Sequence, residues 1–94
     1  MFAIALDPDW HHTALLHSKS LRQAYRDVER TVGRYGFHRV PQSVYVTEAG
    51  DLTDLFAAIS ALKAMPWFPD CVTDIRGFRV EDWSDFTPLM KSNL

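Results

Sequence analysis

The chain has 94 residues, 47% of them apolar and 12 aromatic, with a formal net charge of −2. That length supports one domain spanning residues 1–94, burying about 60–65% of its unfolded surface. No global basic field announces a nucleic-acid binder, no stretch reaches the roughly 18 apolar residues a membrane span needs, and Cys71, the single cysteine, excludes an intrachain disulfide. A cytoplasmic location, with no membrane partner, is the expectation, since Met1–Leu6 lacks the basic lead and the length of a signal peptide.

The chain opens on Met-Phe-Ala-Ile-Ala-Leu-Asp. Six apolar residues without a break predict a strand buried on both faces. Pro8 ends it, because proline cannot donate to a ladder and restricts the residue before it. Asp7 then sits at the C-terminal end of a central strand, where open α/β sheets tend to carry functional groups. The plainer reading is a carboxylate accepting a turn hydrogen bond.

Pro8–Ser18 reads as a loop with Trp10 and three histidines, His11, His12 and His17. It holds too few ligands at motif spacing for a structural zinc site. A helix follows, capped by Ser18 or Ser20. Leu21, Ala24, Tyr25, Val28, Val32 and Tyr35 form its apolar stripe, Arg22, Arg26, Arg30 and Arg34 its opposite side, and Gly36 its C′ residue. Such an arginine run can track a phosphate backbone or simply face water, with Asp27 and Glu29 diluting it.

Phe37–Val40 and Ser43–Thr47 predict two strands paired as a hairpin across Pro41-Gln42, with His38 an exposed structural residue. Leu52, Leu55, Phe56, Ile59 and Leu62 predict the core stripe of a second helix that Pro66 ends, with Ala57, Ala58 and Ala61 as a smooth flank. Trp67–Val72 reads as irregular. Thr73–Glu81 reads as a fourth strand in which Gly77 signals a bulge or a close backbone approach. Ser84 is the expected cap of a final short helix beginning at Asp85-Phe86, with Pro88 in its first turn.

The order β-α-β-β-α-β plus a helical tail predicts an α+β, ferredoxin-like fold. Right-handed crossovers place the first and third strands side by side at the centre. Running parallel, as we expect them, they would set Asp7 and Ser43 at opposite ends of the sheet. Asp74, opening an antiparallel neighbour of the first strand, should approach Asp7. Such a carboxylate pair can bind a hard divalent cation such as Mg²⁺, share a proton, or merely accept from turn amides. Arg76 and Arg79 beside it, with Phe78 and Trp83 to stack a base, suit RNA. The alternative has the aromatics in the core and the arginines paired with Glu81 and Asp82. No Gly-x-Ser-x-Gly elbow surrounds Ser43, nothing activates Cys71, and there is no glycine-rich phosphate loop.

Several stretches resemble virulence-associated protein D, the VapD family. They are the opening strand through Asp7, Gln23-Ala24-Tyr25 with Asp27, Tyr35-Gly36-Phe37, Ser43-Val44-Tyr45, Ala61-Leu62-Lys63, Trp67 and, most distinctively, Asp74 through Thr87. The resemblance spans nearly the whole chain. It implies a small bacterial endoribonuclease, often the toxin of a toxin–antitoxin pair, related to the homodimeric ferredoxin-like nuclease of CRISPR adaptation. The family's strand-end aspartate falls on Asp7, its strand serine on Ser43 and its Asp-Ile-Arg aspartate on Asp74. In such dimers the two-fold axis brings both strand-end aspartates to the interface, where residues of the second copy can complete the site. The implied roles are Asp7, Ser43 and Asp74 in catalysis, Arg76 and Arg79 on RNA, and Asp7 as the residue to hold a divalent cation. The partners are an RNA substrate, a second copy and an antitoxin.

Pro41-Gln42 stands where the family commonly has Gln-Gly, Thr73 where it often has Arg, and Gly77 where it has Ala. A glycine before the serine permits a closer backbone approach than glutamine does. That departure and the acidic balance favour the other expectation, a non-catalytic dimeric module binding a protein or nucleic acid.

Overall fold

The computed structural model describes residues 1–9, 20–40 and 43–92. The histidine loop, Ser18 and Pro41-Gln42 lie outside the described residues. Strand β1 (Phe2–Pro8) has a neighbour on each side in a four-stranded sheet. Two flanking strands and two covered faces explain its unbroken apolar run: Ile4 on one face and Ala3 on the other are both fully buried.

Helix α1 (Leu21–Gly33) starts where Ser20 accepts a hydrogen bond from the Gln23 amide at 3.3 Å. Ala24, Val28 and Val32, four residues apart, are its buried face. Gly36 takes a φ of +87°, and the Phe37 amide reaches back to the Val32 carbonyl at 3.2 Å, turning the chain into the sheet. Strands β2 (His38–Val40) and β3 (Val44–Thr47) pair antiparallel, as the hairpin requires.

Helix α2 (Leu52–Ala64) opens on a reciprocal box: Asp51 accepts from the Asp54 amide at 2.9 Å and Asp54 from the Asp51 amide at 3.1 Å. It presents Leu55, Ala58 and Leu62 to the core. Leu52 and Phe56, expected there, are 66% and 74% exposed. The helix is apolar on most sides, so periodicity gives its rotation no sharp direction, and the small Ala58 lets it settle close to the sheet. The expected irregular stretch contains one helical turn, α3 (Phe68–Cys71), with Pro69 early in it, where its missing N–H is harmless. Strand β4 is Val72–Arg79, and α4 is Thr87–Met90. Ser84 does not cap α4; Asp85 Oδ1 accepts from the Thr87 amide at 2.8 Å instead, and the Thr87 side chain and amide together hold the Asp85 carboxyl below its ordinary pKa.

The sheet order is β2-β3-β1-β4 and all pairs are antiparallel, an α+β arrangement compatible with the ferredoxin-like fold. The expected parallel pairing of the first and third strands is therefore corrected. The crossover through α1 makes β2 parallel to β1, so the hairpin return, β3, must run against both. The core lies between the sheet and the helices, built on Ile4, Tyr45, Val28, Val32, Leu55, Leu62 and Phe68. The segment after β4 passes near Val40 on the other face, where Val40 and Trp83–Thr87 line a cavity of about 350 Å³. No helix among the described residues is long and apolar enough to cross a membrane.

Candidate active site

The end of β1 is irregular. Asp7 is opposite Asp74, but the next pair is Pro8 with Val72, so Thr73 is an extra residue in β4. Its hydroxyl donates to the Asp7 carbonyl at 2.6 Å, and the Asp9 amide donates to the Cys71 carbonyl at 2.8 Å beyond. A bulge of this kind bends the strand and re-aims the side chains beside it. Of the two readings of Gly77, a bulge or a close backbone approach, the structure shows the second: the register runs unbroken there, and Gly77 lies under α2, where a Cβ would come within 3.1 Å of Leu55 Cδ1.

Alternation places Asp7, Ala5 and Ala3 on the sheet face turned away from the helices, with Asp74, Arg76 and Phe78 opposite them. Residues so opposed have Cβ atoms about 4.5–5.5 Å apart, and two like charges there repel. Arg76, two residues along the same face, offsets this with a fork onto Asp74: Nε to Oδ2 at 2.9 Å and Nη2 to Oδ1 at 3.3 Å. The hydrogen bond and charge of Asp74 raise the Arg76 pKa further above its ordinary value. Both side chains are well exposed, so this pair adds little stability; its effect is to hold a guanidinium beside two carboxylates. Ala5 lies between Arg76 and Val44 as a small floor residue.

Ser43 joins the same end. Its carbonyl accepts from the Leu6 amide at 2.9 Å, one residue from Asp7, because β3 runs against β1. Asp7 and Asp74 meet as expected, and the antiparallel run of β3 brings the Ser43 backbone to the same end of the sheet, where the parallel expectation had set it at the opposite one. Alternation carried back from Tyr45 sends the Ser43 side chain toward the helix face, so Ser43 and Asp7 flank the strand end from two sides. Arg79 is not brought to this face. It lies on the helix side with its guanidinium 5.6 Å from the Phe2 ring centre. The alternative pairing of the arginines with Glu81 and Asp82 is not found among the described residues; Arg76 pairs with Asp74. Thr73 is the residue sequence reading missed. Its one signal was a β-branched hydroxyl where the strand enters.

No group of three metal-ligating side chains forms among the described residues. Asp7 offers a free-standing carboxylate while both Asp74 oxygens hold Arg76. That donor set suits a water-rich ion such as Mg²⁺, which binds through one or two carboxylates and substrate phosphate, better than a cation needing a full protein cage.

No family model matches the chain. It is 49% identical over 92 residues to an endoribonuclease VapD homolog of Neisseria gonorrhoeae, covering 98% of this chain and all of that protein. Against the endoribonuclease VapD of Haemophilus influenzae it is 41% identical over 76 residues, 81% of this chain and 84% of the relative. Against that of Helicobacter pylori it is 35% identical over 94 residues, covering 98% and 100%. Identity of this extent over most or all of chains of matching length shows that the chain belongs to the VapD family.

Proposed function

We propose that the chain is an endoribonuclease, acting as a homodimer and serving as the toxin of a toxin–antitoxin pair. The observation that carries the catalytic part is the opposed Asp7 and Asp74 with the Arg76 fork on an exposed strand end. It is supported by relatives named as endoribonucleases. The toxin role and the antitoxin partner rest on the family resemblance.

Cleaving a phosphodiester requires a deprotonated oxygen nucleophile and neutralisation of charge on the phosphate. Asp7 takes the proton from the attacking 2′-hydroxyl or water. Asp74 holds Arg76 in place, and Arg76 meets the phosphate oxygens. Ser43 donates a hydrogen bond to the phosphate or a base at the strand end. Phe78, 42% exposed on the same face, stacks a neighbouring base. A Mg²⁺ ion, where bound at Asp7, would supply further positive charge. Arg79 lies too far round the strand to share this phosphate and would contact RNA only from the helix side.

The test is cleavage of RNA by the unaltered protein and by Asp7→Asn, each with and without a chelator. A general base lost is expected to cost at least about 100-fold in rate. Undiminished cutting by Asp7→Asn rejects the assignment. RNA bound but left whole by the unaltered protein would favour the non-catalytic module.

A further inference from the structure

We propose that the outer face of α1 is a second RNA-binding surface, an arginine track that holds the single strand beyond the cleavage point. This rests on the endoribonuclease reading for its substrate but on separate residues for its support. Arg22, Arg26, Arg30 and Arg34 follow one another at four-residue spacing, and all are exposed. They span about 18 Å of helix.

The pattern runs against what stability would select. Like charges four residues apart destabilise a helix by about 0.2–0.5 kcal/mol per pair, and here three such pairs follow in succession. Arg22 lies in the first turn, where the helix dipole disfavours a cation, and no acidic residue occupies that turn. Helix α2 of the same chain differs at that end, with Asp54 in its first turn, while both helices carry a cation in the last turn, Arg30 in α1 and Lys63 in α2. The acidic residues of α1 do little to neutralise the track. Glu29 turns to Arg39 of β2 at 3.3 Å. Asp27 accepts from Gln23 at 2.8 Å and reaches Arg30 only at 3.9 Å. The guanidinium groups of Arg22, Arg26 and Arg34 have no ion pair or hydrogen bond among the described residues. A chain of net charge −2 thus concentrates unpaired positive charge on one ridge.

The ridge also begins in the right place. Ala24 and Tyr25 of α1 and Leu6 and Pro8 of β1 line one small cavity, so the first turns of α1 lie beside the strand end that carries Asp7. Because Asp7 lies on the sheet face away from the helices, a strand leaving it turns round the strand end beside Pro8 before it meets the ridge, at Arg22 first and then Arg26, Arg30 and Arg34. A flexible polyanion suits such a line of cations better than a folded acidic protein, which would have to present carboxylates at matching spacing.

The experiment compares the unaltered protein with a triple variant, Arg22→Gln, Arg26→Gln and Arg34→Gln, and with the Arg→Lys version of the same three. Binding of a fluorescent single-stranded RNA of 20 nucleotides is measured in an Asp7→Asn background over a salt series, and cleavage in the native background on 20-nucleotide and 4-nucleotide RNAs. The Gln variant is expected to bind the long RNA about tenfold or more weakly, with the slope of log K against log salt reduced by about 2. Its KM for the long RNA should rise with kcat unchanged, cutting of the 4-nucleotide RNA should not change, and the Lys version should bind nearly as the unaltered protein does. Unchanged long-RNA affinity and salt slope overturn the proposal, including the outcome in which the Gln variant loses only an acidic protein partner. Should the Gln variant fail to fold, Arg26→Glu alone carries the test, with a slope reduced by about 1 or more expected and an unchanged slope fatal. If Asp7→Asn still cuts RNA, the site assignment fails while the affinity and slope still judge the track.

Discussion

Tyr45 shows how much a single side chain of this molecule can be made to report. It is fully buried at the centre of β3, and its phenol oxygen has no hydrogen-bond partner among the described residues. Burial raises its pKa from 10 to about 12. The unfolded chain therefore releases this proton at lower pH than the folded one, and Tyr45 withdraws stability as pH rises from about 10 toward 12. Two units correspond to about 2–3 kcal/mol. Tyr45→Phe is expected to be neutral or stabilising by up to about 1 kcal/mol at pH 7, because it deletes a desolvated, unpaired hydroxyl. It should also flatten the alkaline loss, and urea unfolding at pH 7 and pH 11 measures both. A Tyr45→Phe protein as alkali-sensitive as its parent would contradict the assigned burial. The sequence marked position 45 as part of a β-prone run and of a VapD-like stretch, neither of which says that its hydroxyl is buried. Asp7, by contrast, was legible, because one carboxylate ending an apolar run is a local signal. Asp74 was legible as its neighbour too, from the start of an antiparallel strand; Ser43 and Thr73 were not, because the direction of β3 and the extra residue in β4 are settled by long-range pairing.

At the scale of elements, α2 meets β4 closely at Gly77. A Cβ there would lie 3.1 Å from Leu55 Cδ1 and 3.2 Å from Cδ2, and Leu55 is buried. Gly77→Val is expected to destabilise by about 1–3 kcal/mol through overpacking, despite the β-propensity it adds. Leu55→Ala in the Gly77→Val protein should cost less than Leu55→Ala alone, a coupling that a double-mutant cycle resolves. Additive costs would mean that the two do not touch. The element order was readable from periodicity and turn residues. The orientation of α2 was not, since Leu52, Leu55, Phe56, Ala57, Ala58, Ile59, Ala61 and Leu62 leave it apolar on most sides. Strand direction was misread for another reason: adjacency was taken for parallel pairing, although a hairpin return beside a crossover strand must oppose it.

The whole molecule is drawn out, with a radius of gyration of 14.5 Å against about 12 Å for a compact chain of this length. Much of its uncovered apolar surface belongs to the C-terminal segment. Trp83 is 47%, Phe86 64%, Leu89 63% and Met90 73% exposed, and α4 buries no residue. A four-residue helix does not persist alone in water, which supports the proposal of a second copy against this segment. Sedimentation of the unaltered protein is expected to give a dimer. Phe86→Asp with Leu89→Asp should shift it to monomer and lower cleavage, since the family resemblance implies that the second copy completes the site. A dimer that survives both substitutions would place the interface elsewhere.

Asp7 and Asp74 ride on unequal supports. The former belongs to a strand hemmed in by two neighbours, the latter to the margin of the sheet, which has β1 as its one neighbouring strand among the described residues. The gap between the two acids can therefore widen by a give of the margin alone, leaving the interior undisturbed, so the molecule can admit a bulky polyanion without loosening the scaffold that aims its proton acceptor.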